Sequence, residues 1–368
     1  MLTVLSVAYP FAPVSRDAVG GAEQILSAID GALVRAGARS LVLACEGSQT
    51  AGKLLPLRIP EGPLSDDMRA RVGDGLRPAI EKIIAREQVD VVHFHGIGFA
   101  RSLPRDDDTP VLATLHLPPS WYAPEVFAPR RPNTWLNCVS SSQRRACPPS
   151  PIFIEDIGNG VDLARFRPAP ARDGYALVLG RLCPEKGIHL AIEAAKWAGV
   201  PLVIAGQVFP HPEHVRYFQE QIKPRLDAAC FFLGPVTFPR KAELLARARC
   251  VVVPSVVAET SSLVSMEALA SGTPVVALPK GALPDLIDHG RTGFLVNDVR
   301  EMRDALLRAG ALRAADCRRE AEERFGQDRM CARYLAAYER LTSHARGRRA
   351  PAVVESAARP RGEVAAGD

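Results

Sequence analysis

The sequence predicts an α/β protein made of two doubly wound domains facing a central cleft. Three observations carry that prediction. Short β-rich runs alternate with longer helical patterns, the signature of parallel sheets with crossover helices. The alternation pauses in a Pro/Ala/Gly-rich junction and then restarts. At 368 residues and 47% apolar content, the chain is long for one core and has apolar residues enough for two.

In the first half the strands are expected at "TVLSVAY", "SLVLAC", "DVVHFHG", "PVLATLH" and "TWLNCVS". Helical stretches lie between them, clearest in "GAEQILSAIDGALVRAG", which closes on Gly37. The junction is "NGVDLARFRPAPARDG", residues 159 to 174. Beyond it come "YALVLGRL", "PLVIAG", "CFFLG", "CVVVPS", "TPVVALP" and "GFLVN". We therefore expect Rossmann-like domains over 1–168 and 169–326, a helix over 327–345 returning to the first, and a disordered tail over 346–368. Ligands of open parallel sheets sit at the carboxyl ends of strands, which here would line the cleft.

Composition excludes several classes. No apolar run reaches the roughly 18 residues of a membrane span. The start, "MLTVLSVAYP", reads as a buried strand and lacks the basic region of a signal peptide, so a cytoplasmic location is expected. The eight cysteines show no CxxC pair and are expected as free buried thiols. A net charge of +5 is too mild to imply nucleic acid. Arg69, Arg71, Arg77, Lys82 and Arg86 would suit an anionic membrane surface, but Asp66, Asp67, Asp74, Glu81 and Glu87 lie among them and Pro78 interrupts the pattern. A solvated helix is the better reading, and peripheral membrane contact is not supported.

Three constellations could carry chemistry. Gly20 and Gly21, in "PFAPVSRDAVGGAEQ", open a helix whose backbone N–H groups could face an anion. The segment lacks GxGxxG, which disfavours a nicotinamide site. Arg181 and Lys186, in "LGRLCPEKGIHLAIEAA", follow a strand and precede a helix, a good receiver for a diphosphate or simply a solvated loop. The third is "VVVPSVVAETSSLVSMEALASGTPVVALP", residues 251 to 279. Thr260, Ser261 and Ser262 are candidate caps for its helix, and Glu267 lies too far inside to serve a capping box. Glu267 one turn beyond Leu263 sits on a face that otherwise packs, so it needs a partner from the protein or from a ligand. With Glu259, it flanks the N–H groups of Thr260, Ser261, Ser262 and Leu263. Carboxylates accept from sugar hydroxyls and the N–H groups donate to phosphate, so a sugar nucleotide suits both.

Taken together, "GGAEQ", "VVHFHG", "TLH", "IGNGVDLARFRP", "GRLCPEKG", Glu259 seven residues before "EALASGTPVVA" with its leading Glu267, and "TGFLV" resemble family 4 glycosyltransferases of the GT-B fold. The pieces stand in the family's order from residue 20 to 296. The resemblance implies transfer of a sugar from a nucleotide-diphosphate-sugar donor with retention at the anomeric carbon, without cofactor or metal. It places Gly20 and Gly21 at the donor phosphates, His116 beside the reacting carbon, Arg181 and Lys186 on the diphosphate, Glu259 on donor-sugar hydroxyls and Glu267 on the ribose. One departure is "ETSSLV", with Thr260 and Ser261 where many members carry Gly or Ser and then Phe, which leaves the sugar open.

The acceptor, whether saccharide, lipid-linked or small molecule, is not readable. Another GT-B chemistry (a phosphorylase or sugar-nucleotide epimerase) and a non-catalytic sugar-nucleotide-binding scaffold remain alternatives. His93 and His95 stand two apart on a strand, and one is expected at its cleft end and the other packed or solvated. Asp106 and Asp108 read as a solvated turn, and "PHPEHVRYFQEQIKPRL" as a surface helix without a role. Trp121, Tyr122 and Phe127 shape an acceptor pocket or cover the first core, the core reading being ahead.

Overall fold

A computed structural model of the chain describes residues 1–62 and 64–349. It contains two six-stranded parallel sheets. The first holds β1 (Thr3–Val7), β2 (Arg39–Cys45), β3 (Lys53–Leu57), β4 (Val91–Phe94), β5 (Val111–Leu115) and β6 (Thr134–Cys138), in the order β3-β2-β1-β4-β5-β6. The second holds β7 (Ala176–Leu179), β8 (Leu202–Ala205), β9 (Cys230–Phe232), β10 (Cys250–Val253), β11 (Val275–Ala277) and β12 (Gly293–Leu295), in the order β12-β11-β10-β7-β8-β9. Read from its own first strand, each sheet has the same doubly wound order. Each therefore reverses direction once, between β1 and β4 and between β7 and β10. At such a switch point the loops leaving two neighbouring strands part to opposite faces and leave a crevice.

The predicted strands are all present; most of their apolar runs are buried on both faces, while edge strand β9 leaves Phe231 exposed. One strand was not predicted. β3, "KLLPL", is an edge strand with half-exposed side chains and a proline, which is tolerated only at an edge. A second difference concerns Pro78, which does not interrupt its helix: Asp66–Glu87 is continuous around it. The carbonyl that Pro78 leaves unbonded belongs to exposed Asp74, where water can replace the lost N–H.

Helix Gly21–Arg35 packs on the first sheet, and its face of Ile25, Ile29, Ala32 and Leu33 meets the closing helix Gln327–Arg349 through Met330, Cys331, Tyr334 and Tyr338. The chain returns to the first sheet at Gly326: helix Ala314–Arg324 still packs on the second through Cys317 and Ala321. Of residues 346–368, the first four continue the last helix and 350–368 lie outside the described residues. The junction is bound at its start and middle. Val161 bonds Phe325 and Gln327 through its backbone, and Arg318 donates to the carbonyls of Leu163, Phe166 and Ala270. All eight cysteines are free and buried. No described helix is long and apolar enough to cross a membrane.

Candidate active site

Three loops from the two switch points, together with the loop after neighbouring β5, carry most of the predicted site. From β7 comes the loop bearing Arg181 and Lys186, and from β10 the loop bearing Glu259 to Ser262. Facing them are the Gly20–Gly21 helix start after β1 and, beside the β4 end, His116 directly after β5.

Lys186 and Glu259 meet: Nζ to Oε1 is 2.5 Å, and the Ser255 hydroxyl donates to the same oxygen. Two glycines set this geometry. Gly187 lies at φ 59° and a Cβ there would come within 2.2 Å of the Pro254 carbonyl oxygen. Gly281, at φ 61°, lets the Glu259 backbone approach so closely that a Cβ would fall 2.2 Å from its carbonyl oxygen. Both positions demand glycine, for the left-handed backbone and for the contact. Arg181 is exposed at the mouth of the same loop.

Helix Leu263–Ala270 is capped by Ser262, whose hydroxyl accepts from the Ser265 N–H at 3.3 Å. Of the three candidate caps, Ser262 is the one used. The N–H groups of Leu263 and Val264 then have no helical acceptor. Glu267 is buried inside this helix, and its partner is Lys241, Nζ to Oε1 at 2.6 Å, from helix Phe238–Arg247. Sequence reasoning missed Lys241, which lies 26 positions away with no local signal of the contact. Lys241 Nζ also stands 5.7 and 5.6 Å from the ring centres of Phe166 and Phe238.

Thr260 and Ser261, the departure from the family pattern, have separate fates. The Thr260 hydroxyl donates across the cleft to the His116 carbonyl at 3.0 Å, while its own carbonyl accepts from the Ser140 hydroxyl at 2.6 Å. Ser261 Oγ is buried without a hydrogen-bond partner among the described residues. The two sides also touch at Gly21, where a Cβ would lie 3.2 Å from a Leu263 methyl. Ion pairs Arg165–Asp17 at 2.7 Å and Arg16–Asp162 tie the junction to the loop after β1.

Behind His116 runs a buried polar chain. His116 Nε2 is 3.0 Å from His95 Nδ1. The His95 ring lies 4.0 Å from that of His93, whose two nitrogens bond Tyr338 Oη and Thr114 Oγ1, both at 2.7 Å. Thr114 continues to Asn137 and Tyr334. His95 thus sits at the cleft end and His93 packs, and the two rings are neighbours because residues two apart along a strand lie on the same face. Burial pushes His93 and His95 well below the ordinary imidazole value of 6.5, and His116, half-buried at the cleft, down to about 4. All three are neutral near pH 7.

Gly20 opens the first helix with no side-chain cap, and Glu23 in its first turn is buried, with its carboxyl raised by desolvation. Asp106 closes a turn onto the Asp108 and Thr109 N–H groups at 2.9 and 3.2 Å. Tyr122 and Phe127 belong to the first core, while Trp121 is exposed. The segment after β8 departs from expectation: His211 is exposed, but His214 is buried.

Two facing sheets of this order, with cations and carboxylates gathered on the loops between them, define a two-domain GT-B architecture. Comparison with known families agrees. Residues 19–165 match the model described as "Glycosyltransferase Family 4" and residues 174–310 the model "Glycosyl transferases group 1". The chain belongs to the family 4 glycosyltransferases of the GT-B fold.

Among curated relatives it is 35% identical over 214 residues to the D-inositol 3-phosphate glycosyltransferase of Mycobacterium avium (strain 104), covering 52% of this chain and 50% of that one. The enzyme of that name from Mycobacterium tuberculosis (strain F11) is 33% identical over 174 residues, 42% of this chain and 36% of that one. The chain thus spans about half or less of these relatives' length. Among solved structures, AviGT4, a glycosyltransferase involved in avilamycin A biosynthesis, superposes with a TM-score of 0.70 at 26% identity over 93% of this chain and 98% of that one. Anabaena HepE in complex with UDP and glucose gives 0.71 at 19% identity over 92% and 100%, a likeness of fold.

Proposed function

We propose that the protein is a retaining glycosyltransferase that moves a sugar from a nucleotide-diphosphate-sugar to an acceptor bound on the first-domain side. The observation that carries this reading is the Lys186–Glu259 pair at 2.5 Å, set beside the open first turn of helix Leu263–Ala270. The Thr260–His116 bond joins that side of the cleft to the other. A cation, free N–H groups and a hydroxyl-accepting carboxylate in one crevice match the diphosphate and sugar of such a donor.

In the proposed reaction the bond from the anomeric carbon to the diphosphate breaks, and charge gathers on the departing oxygen. Lys186, Arg181 and the Leu263 and Val264 N–H groups stabilise that charge. Glu259 accepts from donor-sugar hydroxyls and Glu267 from the ribose, each sharing its lysine with the ligand. Neutral His116 holds the sugar near the reacting carbon, opposite Thr260. Gly20 and Gly21 admit the phosphates to the first-helix N-terminus. The acceptor hydroxyl attacks from the face the diphosphate leaves and passes its proton to the departing phosphate oxygen, which retains configuration. The chain's own cations perform the charge neutralisation.

Incubation with a panel of nucleotide-sugars, scoring nucleoside diphosphate release with and without candidate acceptors, tests the proposal. Acceptor-dependent release with an anomer of unchanged configuration supports it. Orthophosphate-dependent release indicates a phosphorylase, an epimerised sugar nucleotide an epimerase, and tight binding without turnover a scaffold.

A further inference from the structure

We propose that Cys183, Glu185 and His214 form a binding site for one divalent metal ion of the zinc type, on the loop that carries Lys186. A thiol sulfur, a carboxylate oxygen and an imidazole nitrogen from these residues all lie within 4.8 Å of one another. Cys183 is fully buried and His214 is 9% exposed. The second observation is what these atoms lack. His214 Nδ1 and Glu185 Oε2 are buried with no hydrogen-bond partner among the described residues. The Cys183 sulfur has a weak contact, 3.8 Å, to the Arg181 carbonyl, and its thiol also faces the Glu185 carboxylate. Two orphaned acceptors beside a thiol are an unusual cost in a protein interior, and one cation bound by all three removes it.

The donor set decides the kind of ion. Magnesium and calcium take oxygen ligands, whereas sulfur, nitrogen and oxygen together suit zinc. Zinc bonds of roughly 2.0–2.3 Å place tetrahedral ligands about 3.5 Å apart, so closing from separations of at most 4.8 Å needs side-chain adjustment of no more than about 1 Å. The fourth position falls to water. On binding, the Cys183 proton is released to solvent and the thiolate becomes the ligand.

The site has a structural consequence. Cys183 and Glu185 flank Pro184 at the start of the turn Pro184–Lys186, and His214 lies on the separate helix Pro212–Tyr217. A bound ion clamps that turn to the helix, one residue before the lysine that meets Glu259. The proposal does not depend on the glycosyltransferase reading, since it concerns metal binding without nucleotide.

The test uses the full chain without an affinity tag, stripped with chelator, titrated with zinc by calorimetry and with cobalt(II) by absorption. One zinc per chain is expected, with a thiolate-to-cobalt charge-transfer band and a melting temperature raised by zinc. Cys183→Ser should abolish the band, and Glu185→Gln and His214→Gln should each weaken zinc at least tenfold. Absence of the band in the parent protein overturns the proposal. So does equal zinc affinity in parent and variants, which would assign the ion to other groups. Should Cys183→Ser lose its fold by circular dichroism, the near-isosteric Glu185→Gln decides alone, unchanged affinity there being disproof.

Discussion

His95 Nδ1 stands 3.0 Å from His116 Nε2, and the two rings stack with centres 5.3 Å apart. His95 Nε2 is buried without a partner, and an orphaned acceptor costs less than an orphaned N–H. The network therefore assigns the proton to His95 Nδ1, which donates to His116 and leaves the His116 Nδ1–H as its donor. Under the proposed chemistry, His116→Ala should lower turnover roughly 10²–10³-fold, the scale of one lost transition-state donor. Nucleoside diphosphate affinity should stay near that of the parent. His95→Phe should reduce turnover less, with the same unchanged affinity and an altered pH profile. Equal losses of binding and rate in His116→Ala would assign it another role.

Acid should destabilise the fold in a defined window. His93 and His95 are held well below 6.5 by burial, with repulsion among the three histidines adding to it. Below pH 6.5 the unfolded chain takes up protons on these rings and the folded chain does not, so stability falls as pH falls. Well below 6.5 the slope is about 1.4 kcal/mol per pH unit for each ring. His116 acts in the same direction down to about 4 but is partly exposed to the cleft and contributes less. Urea midpoints measured from pH 7 down to 5 should drop, and His93→Gln should flatten the curve. An unchanged midpoint across that range contradicts the assignment.

The Lys241–Glu267 pair predicts a joint effect on ligand and stability. Removing Glu267 strands a lysine in a largely enclosed position, and breaking such buried pairs costs on the order of 3–5 kcal/mol, less here because Lys241 keeps some contact with water. Glu267→Ala should therefore lower stability and also weaken free nucleoside diphosphate. Adding Lys241→Met should restore much of the stability and none of the affinity. Glu259→Ala should weaken or slow only the sugar-bearing donor. If Glu267→Ala changes stability while diphosphate binding stays intact, its role is structural alone.

Arg181 and Lys186 should separate by their surroundings. Arg181 is exposed, so Arg181→Ala should shift stability by less than about 0.5 kcal/mol. Lys186→Ala leaves Glu259 with Ser255 alone and should cost more. Each should reduce turnover more than donor binding, because cations aimed at a leaving group hold the transition state more tightly than the ground state. The double variant should lose less than the sum, since both neutralise one group. Single-turnover rates beside donor affinities decide it, and untouched values for both variants would remove the active-site assignment.

How much of this was legible beforehand differs from residue to residue. The largely apolar runs of β1, β2, β4 to β8 and β10 to β12 announce strands because burial on both faces requires hydrophobic side chains in sequence. The family pattern and the βα loops marked Gly20, Gly21, His116, Arg181, Lys186, Glu259 and Glu267 along the chain. Such marks are local: a glycine after a strand, a cation before a helix, a carboxylate on an apolar face. Edge strand β3 carried no such mark, since half-exposed residues and Pro56 dilute the pattern.

Contacts belong to the tertiary structure alone. That Lys186 meets Glu259, Lys241 meets Glu267, Thr260 reaches the His116 carbonyl and His214 lies beside Cys183 and Glu185 depends on how two switch points and their loops are brought together. The partners stand 73, 26 and 144 positions apart in the first three cases. Burial pattern is written residue by residue and survives in the sequence. Pairing across a cleft is written in neither partner, and only the packing of the sheets, with Gly187 and Gly281 allowing the backbone to close, decides which charges meet.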